Sequence, residues 1–176
     1  MRFLATSIPC AFVIEPEEIA DERGSFARLF CRQEFAAHGL NPDLAQASIS
    51  FSRRRGTLRG MHWQAEPHEE AKLVRCTRGT VFDVALDLRR DSPAYLKWHG
   101  TELSEANRRM LYIPEGCAHG LLTLCDDAEV HYHISEFHRP ASARGVRFDD
   151  PAFAILWQIP VQAIAERDRA YPDFRP

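Results

Sequence analysis

Residues 81–88, VFDVALDL, alternate so regularly that the segment is typical of a β-strand with two different faces. One face would carry only apolar side chains, namely Phe82, Val84, Leu86 and Leu88. The opposite face would carry a mixed set, namely Val81, Asp83, Ala85 and Asp87. The pattern therefore predicts a strand whose second face holds two acids.

Similar short runs recur along the chain, at residues 11–14, 25–30, 45–51, 72–77, 109–113, 120–124 and 129–135. Eleven prolines and nine glycines are scattered through the sequence and punctuate turns. Helical patterns are restricted to residues 32–38, which Gly39 closes, to a Ser-x-x-Asn turn at 104–108, and to the tail at 161–169. Eight or more short strands with minor helices predict an all-β fold, either a sandwich or a barrel.

Size, charge and cysteine usage narrow the class of protein. A chain of 176 residues, 45% of them hydrophobic, suits one domain over residues 1–176. The net charge of −3 provides no field that would attract the protein to nucleic acid or anionic lipid. The five cysteines lack CxxC spacing, and Glu15, Glu17 and Glu18 interrupt the N-terminal apolar run too early for a secretory leader. We expect a cytoplasmic protein without a membrane-spanning segment.

The densest polar stretch is GTLRGMHWQAEPHEEAK, residues 56–72. Period two places His62 and Gln64 on one face of a strand, while Met61 and Trp63 face the other way. A polar face within an all-β chain indicates a lined cavity. A lone histidine is more often a hydrogen-bonded structural residue than a catalytic one, so His62 becomes a candidate base only through its neighbours.

Two neighbours of this kind follow. Lys72 begins the next strand-like run, where it shares a face with Val74. His119 is presented at the start of a strand by the turn IPEGCAHG, residues 113–120. A lysine by itself is more often an edge-strand charge than part of a site, so the two residues are candidates and no more at this point.

The segment EVHYH, residues 129–133, leaves two alternatives open. If Glu129, His131 and His133 face inward, their carboxylate and imidazoles suit iron, zinc or manganese, as in metal-dependent cupins. If Tyr132 faces inward, the cavity contains a phenol and the histidines lie on the outer surface. Periodicity alone does not distinguish the two.

Over almost its whole length the chain resembles the dTDP-4-dehydrorhamnose 3,5-epimerase family. The matching motifs are residues 21–24 with Phe26, 46–50, 56–64, 72–74, 82–84, 87–89, 113–116, 118–120, Tyr132, 149–151 and 166–168. Each motif is short, but their order and spacing together are specific. The resemblance implies a cupin jelly-roll barrel without a metal, and usually a homodimer in which N-terminal strands cross to the partner.

The resemblance also implies the catalytic roles. His62 would be the base, Asp168 its carboxylate partner, and Tyr132 an inward-facing acid on the opposite side of the sugar. Lys72 would lie beside the C4 oxygen, where an ammonium stabilises an enolate. The implied reaction is 3- and/or 5-epimerisation of a nucleotide-linked 4-keto-6-deoxy sugar, of the dTDP-4-dehydro-6-deoxyglucose to dTDP-4-dehydrorhamnose type. It needs no cofactor, and it would serve deoxysugar and cell-surface polysaccharide biosynthesis, including that of lipopolysaccharide.

Seven residues are implied to bind the substrate: Arg23, Arg28, Gln46, Ser48, Arg59, His119 and His138. Arg23 and Arg59 would hold the diphosphate, because a guanidinium can meet two phosphate oxygens at once. Three of the seven depart from the family's usual pattern. Arg28 stands where glutamate is usual, Ser48 where asparagine is usual, and His138 replaces the aromatic residue that stacks on thymine. The nucleotide therefore stays open. The carbon that is inverted also stays open, because the same base, acid and lysine can serve C3, C5 or both.

Two other functions compete with the epimerase. One is a metal-dependent cupin that uses Glu129, His131 and His133. The other is a sugar-nucleotide-binding cupin without activity, which would keep the arginines and the fold. A protein that only binds has no need of an opposed acid and base, so the combination of His62 and Tyr132 favours the enzyme.

Overall fold

The computed structural model describes residues 1–175 and forms two sheets that pack face to face. The strands are β1 (Arg2–Ala5), β2 (Phe12–Glu15), β3 (Glu18–Asp21), β4 (Gly24–Ala27), β5 (Gln46–Ser52), β6 (Thr57–Gln64), β7 (Lys72–Arg78), β8 (Thr80–Asp87), β9 (Trp98–Ser104), β10 (Met110–Ile113), β11 (Cys117–Thr123), β12 (Ala128–Ile134), β13 (Ala143–Gly145) and β14 (Ala163–Ile164). The helices are α1 (Arg32–Ala37) and α2 (Glu166–Arg169). The all-β prediction is confirmed.

The first sheet has the order β1-β2-β10-β7-β12-β5, and the second has the order β13-β6-β11-β8-β9. Neighbouring strands along both orders are antiparallel, while β14 runs parallel to β6 at the side of the second sheet. Strands β3 and β4 form a separate hairpin. The non-sequential order, with long connections between paired strands, is that of a jelly roll.

Strand β8 has the two faces that its sequence predicts. Val81 and Ala85 pack between the sheets in the main core, against residues such as Val74 and Val130 of the first sheet. On its other face, the even-numbered apolar residues pack in a second cluster beneath the segment that contains Phe153. Strand β8 lies between β11 and β9 and is covered on both faces, so the acids on its inner face are buried too.

A third apolar cluster lies under helix α1. Phe35 of α1 packs with Leu73 and Tyr112, which point away from the main core. The helix therefore covers the outer face of the β2, β10 and β7 region. It does not cover the outer face of β5, where Ile49 and Phe51 remain exposed.

The tail is the main point at which the predicted elements are wrong. Residues 161–169 read as one helix, whereas residues 163–164 form strand β14 and only residues 166–169 are helical. The backbone of Gly56 explains the difference, because its carbonyl accepts hydrogen bonds from the amides of Gln162 and Ala163. Pairing with the side of a strand that is distant in sequence thus overrides local helix propensity.

The predicted runs also omit strands β1, β3, β9 and β13, and two smaller details concern elements that were predicted. Strand β4 ends at Ala27, whereas the predicted strand ran to residue 30, and Leu29 and Phe30 pack against the α1 cluster instead. The turn at 104–108 is confirmed, since Ser104 and Asn107 exchange side-chain to backbone hydrogen bonds. No helix within residues 1–175 has both the length and the apolar character needed to cross a bilayer.

Candidate active site

A cavity of about 820 Å³ opens between the β5–β12–β7 side of the first sheet and the β6–β11 side of the second. Its polar lining comes from several strands and from the C-terminal segment, and it includes Gln46, Ser48, Arg59, His62, Lys72, His119, Tyr132, His138, Arg144, Arg167, Asp168 and Tyr171. A volume of this order suits a small-molecule ligand. Most of the residues that were predicted to do chemistry therefore share one space.

His62 forms a hydrogen-bonded pair with Asp168, and Nε2 of the imidazole lies 2.7 Å from Oδ1 of the carboxylate. The Asp168 side chain is 4% exposed, whereas that of His62 is 32% exposed and borders the cavity. Helix α2 carries Asp168 across to strand β6, where the backbone amide of Gly60 lies 3.4 Å from its second oxygen. The carboxylate thus fixes the orientation of the imidazole from behind.

Burial lowers the pKa of His62 below its ordinary value, and the hydrogen bond and charge of Asp168 offset only part of this effect. The nearby positive charges of Lys72 and Arg167 lower the pKa further. At neutral pH the imidazole is therefore uncharged and can accept a proton.

Gly60 brings the histidine strand close to its neighbour. It has a φ of +121°, and an added Cβ would lie 2.5 Å from the Cα of Gly120 on β11. The β6–β11 pairing has a register shift at this point, between His119 and Leu121. His62 and His119 are opposite each other in this pairing, and both line the cavity. The two glycines lack side chains, which lets the strands approach closely at this point.

Lys72 reaches the cavity from strand β7. Its ammonium donates a hydrogen bond to the backbone oxygen of His62 at 3.2 Å and lies 2.9 Å from a carboxylate oxygen of Glu70. Both charged side chains are 10% exposed. A buried ammonium thus stands beside the histidine, where it can stabilise negative charge on a bound ligand.

Tyr132 points into the cavity, as the resemblance implies. Its hydroxyl lies 3.0 Å from the Ser50 hydroxyl, and burial raises the pKa of Tyr132 to about 12. The phenol is therefore protonated at neutral pH and can donate a proton. Its ring lies 5.9 Å from that of His119, edge to face.

A second histidine–aspartate pair lies in the same cavity wall. Nε2 of His119 is 2.8 Å from Oδ1 of Asp83, and the side chains are 7% and 0% exposed. The alternation of strand β8 predicts Asp83 as an acid on one strand face, but it predicts no role for it. The signal available in the sequence was an acid within a mostly apolar strand, because a buried acid needs a partner.

Five of the seven predicted substrate-binding residues line the cavity, namely Gln46, Ser48, Arg59, His119 and His138. The guanidinium of Arg59 donates to the Ser52 hydroxyl at 3.0 Å and to the Phe51 carbonyl at 2.9 Å. The Gln46 side-chain oxygen accepts a hydrogen bond of 2.7 Å from the backbone of His138. Gln46 therefore also holds the loop that presents the imidazole of His138.

Arg23 and Arg28 are not brought to this cavity by their own chain. Arg23 lies in the turn of the β3–β4 hairpin, is 84% exposed and pairs with Asp21 at 2.6 Å. Arg28 lies beyond the hairpin and pairs with Glu34 at 3.2 Å. Neither arginine is among the residues that line the cavity.

The alternative metal ligands lie on the other face of strand β12. Val130 and Tyr132 pack against the main core, so Glu129, His131 and His133 point outward. Glu129 accepts a hydrogen bond of 2.8 Å from the Thr77 hydroxyl. In the part of the chain that the structure describes, no three His, Cys, Asp or Glu side chains are grouped to hold a metal ion. The strand therefore does not form the alternative site.

The cavity combines an uncharged imidazole with a protonated phenol inside a β-sandwich, and such a pair can move protons on and off carbon. Fold and site together define an acid–base enzyme of the cupin class. The sequence model of the family described as dTDP-4-dehydrorhamnose 3,5-epimerase matches residues 5–176. The chain belongs to this family, and its enzyme class is that of a carbohydrate epimerase.

Individual relatives agree with this assignment. The dTDP-4-dehydrorhamnose 3,5-epimerase of Methanothermobacter thermautotrophicus is 43% identical over 99% of this chain and 95% of its own length. The dTDP-4-dehydrorhamnose 3-epimerase of Streptomyces niveus is 41% identical over 96% and 82%. The crystal structure of dTDP-4-dehydrorhamnose 3,5-epimerase from Elizabethkingia anophelis NUHP1 is similar with a TM-score of 0.96 and 38% identity, covering 99% and 96%.

Proposed function

We propose that this protein inverts C3, C5 or both carbons of a dTDP-linked 4-keto-6-deoxy sugar, in the route to dTDP-rhamnose and cell-surface polysaccharide. The observation that carries the proposal is the pairing of His62 with Asp168 in the same cavity as the phenol of Tyr132. The reaction takes place in the cytoplasm. It requires no cofactor, because each step only transfers a proton.

The ketone at C4 makes the reaction possible, since it acidifies the hydrogens on the two adjacent carbons. His62 abstracts one of these protons, and Asp168 stabilises the imidazolium that results. Negative charge then moves to the C4 oxygen, where the ammonium of Lys72 stabilises the enolate. Tyr132 returns a proton to the opposite face of the carbon, and the stereocentre is inverted.

The nucleotide end of the substrate is assigned to the remaining polar residues. Arg59 supports the diphosphate, and the two hydrogen bonds that anchor its guanidinium reduce the entropy lost on binding. His138 stacks on the base, with Gln46 holding its loop. The relatives include both a 3,5-epimerase and a 3-epimerase, which supports dTDP as the nucleotide for either reaction.

Solvent isotope exchange tests this function directly. Incubation in deuterium oxide with dTDP-4-keto-6-deoxyglucose should place deuterium at C3, C5 or both, and NMR or mass spectrometry locates the label. The same sugar linked to UDP or GDP serves as the comparison for nucleotide choice. Absence of exchange with every nucleotide sugar would refute the proposal, whereas exchange with a different nucleotide alone would refute only the assignment of dTDP.

We further propose a homodimer in which the β3–β4 hairpin of one subunit reaches the cavity of the other. Ile19 and Phe26 of this hairpin are 73% and 70% exposed, which is unusual for such large apolar side chains. Arg23 lies between them in sequence, so burying this hairpin in a partner's cavity would deliver a cation to the substrate diphosphate.

A complementation experiment tests the exchanged hairpin. Neither the Arg23→Gln variant nor the His62→Ala variant should be active alone. Mixed dimers, formed by co-expression with two tags, should contain one site with both residues intact. Activity in about a quarter of all sites is therefore expected after random pairing. Inactive mixed dimers would contradict exchange, and Arg169→Gln in place of Arg23→Gln serves as a control for the loss of an exposed arginine.

A further inference from the structure

Tyr171 is a cavity residue that none of the steps above uses. It follows helix α2 directly after Ala170 and precedes Pro172, and a proline restricts the residue before it to extended conformations. Its side chain lines the same cavity as His62 and Asp168.

The ring occupies a space that Gly145 leaves free. A Cβ atom added to Gly145 would lie 2.1 Å from Cζ of Tyr171 and 2.3 Å from both Cε2 and the hydroxyl oxygen. Gly145 is not among the glycines with positive φ, so the missing side chain provides space and not conformational freedom. The Tyr171 ring therefore packs directly on the backbone of β13 at Gly145.

This packing site on Gly145 is next to the imidazole of His62. Gly145 is the partner of His62 in the pairing of β13 with β6. The centroids of the His62 and Tyr171 rings are 6.4 Å apart, and the planes meet at 71° in an edge-to-face arrangement. One aromatic ring thus contacts the strand beside His62 and also packs near the His62 side chain.

The hydroxyl of Tyr171 lies against Gly145 with the ring but adds no hydrogen bond to this packing. Among residues 1–175 it forms no hydrogen bond. Burial is the main cause that raises the pKa of Tyr171, while the charge of Arg167 lowers this pKa and that of Asp168 raises it. The phenol is therefore uncharged at neutral pH, and its apolar ring makes the contact.

The rest of the C-terminal segment is held independently of this ring. The backbone amide of Phe174 donates a hydrogen bond of 2.6 Å to Asp150, and the Phe174 ring packs on Phe153 at 5.1 Å. Truncation of the Tyr171 side chain should therefore leave the segment attached to the sandwich.

We propose that Tyr171 is a positioning residue for His62: seated on Gly145, its ring limits rotation of the imidazole and keeps bulk water away from the His62–Asp168 pair. The inference rests on the proposed function. Burial is the main cause of the low pKa of His62, so a ring that excludes water helps to keep the base uncharged.

The decisive measurement is the pH dependence of kcat/KM for solvent exchange in the Tyr171→Leu, Tyr171→Ala and Tyr171→Phe variants. Loss of the ring admits water and should raise the pKa of His62, so the acidic limb of the profile moves to higher pH. The rate on the plateau should also fall by roughly tenfold to a hundredfold, as misplacement of a reacting group predicts. Tyr171→Phe should match the unchanged enzyme in both respects, because it keeps the ring.

Gly145→Ala tests the packing of the Tyr171 ring on Gly145. In the otherwise unchanged enzyme the new methyl group should displace the ring and shift the acidic limb in the same direction. In the Tyr171→Leu background the same substitution should shift the acidic limb less, because the ring is already gone. The effects of the two changes on the acidic limb should therefore not be additive. An NMR titration of His62 provides the same pKa shift without substrate.

The possible results separate the inference from the function on which it rests. If the unchanged enzyme exchanges nothing, the proposed function fails. If it is active but the Leu and Ala variants keep the original acidic limb, Tyr171 does not position His62, even if their rates fall. Full additivity with Gly145→Ala would also overturn the inference, as would a Phe variant that behaves like Ala.

Discussion

The His62→Ala variant is expected to incorporate deuterium at C3 or C5 about 10²–10⁴-fold more slowly, with the same loss in kcat, which is the range that general base catalysis provides. The reason is chemical, because among the described residues 1–175 His62 is the cavity imidazole that forms a hydrogen bond with Asp168. The measurement is solvent exchange followed over time with a saturating 4-keto sugar nucleotide. Retained exchange would show that another group is the base.

His99→Gln is a matched control for this substitution. Burial lowers the pKa of His99 below its ordinary value, as it does for His62, but His99 lies on strand β9 and does not line the cavity. It should therefore retain the exchange rate. Equal losses in the two variants would point to a general effect of removing a partly buried histidine.

Asp168→Asn completes the test of the pair, and its effect on pH dependence has a definite sign. Asp168 raises the pKa of His62, so its neutral replacement should move the acidic limb of kcat/KM to lower pH. The rate should nevertheless fall, because the imidazolium loses its countercharge and the imidazole is no longer fixed in the right tautomer. An acidic limb that moves to higher pH would contradict this account.

The parts of the fold that sequence could predict are those that depend on local alternation. Strand β8 packs with Val81 and Phe82 on opposite sides because successive residues of a strand always do so. The same rule reduced strand β12 to two alternatives, with either Tyr132 or the histidines inside. The family resemblance implied that Tyr132 faces inward, and the packing of Val130 and Tyr132 against the main core confirms it. Alternation alone could not select between the two, because this packing depends on residues far away in the sequence.

The parts that could not be predicted are contacts between distant segments. Asp168 is 106 positions from His62, and without the family resemblance nothing in its own helix indicates that partner. Strand β14 exists because Gly56 offers a carbonyl group to the tail. Tyr171 has no sequence signal at all, since its role depends on the space above Gly145.

The Tyr132→Phe variant is expected to separate exchange from inversion. His62 can still remove a proton and return it to the same face, so deuterium should enter the substrate with retention of configuration. Formation of the epimer should fall by about 10²–10⁴-fold, because the opposite face has lost its acid. Chiral analysis of the labelled sugar by NMR, alongside the rate of label incorporation, measures the two processes separately.

Stability and a second tyrosine provide the controls for this variant. Loss of the hydrogen bond to Ser50 should cost only about 1 kcal/mol in the free energy of unfolding. Tyr112→Phe removes another buried hydroxyl, which accepts a hydrogen bond from the Asn41 amide on the far side of the first sheet. That variant should keep both exchange and inversion. If Tyr132→Phe loses exchange and inversion together, the phenol assists proton removal itself, and its assignment as the opposing acid would have to be abandoned.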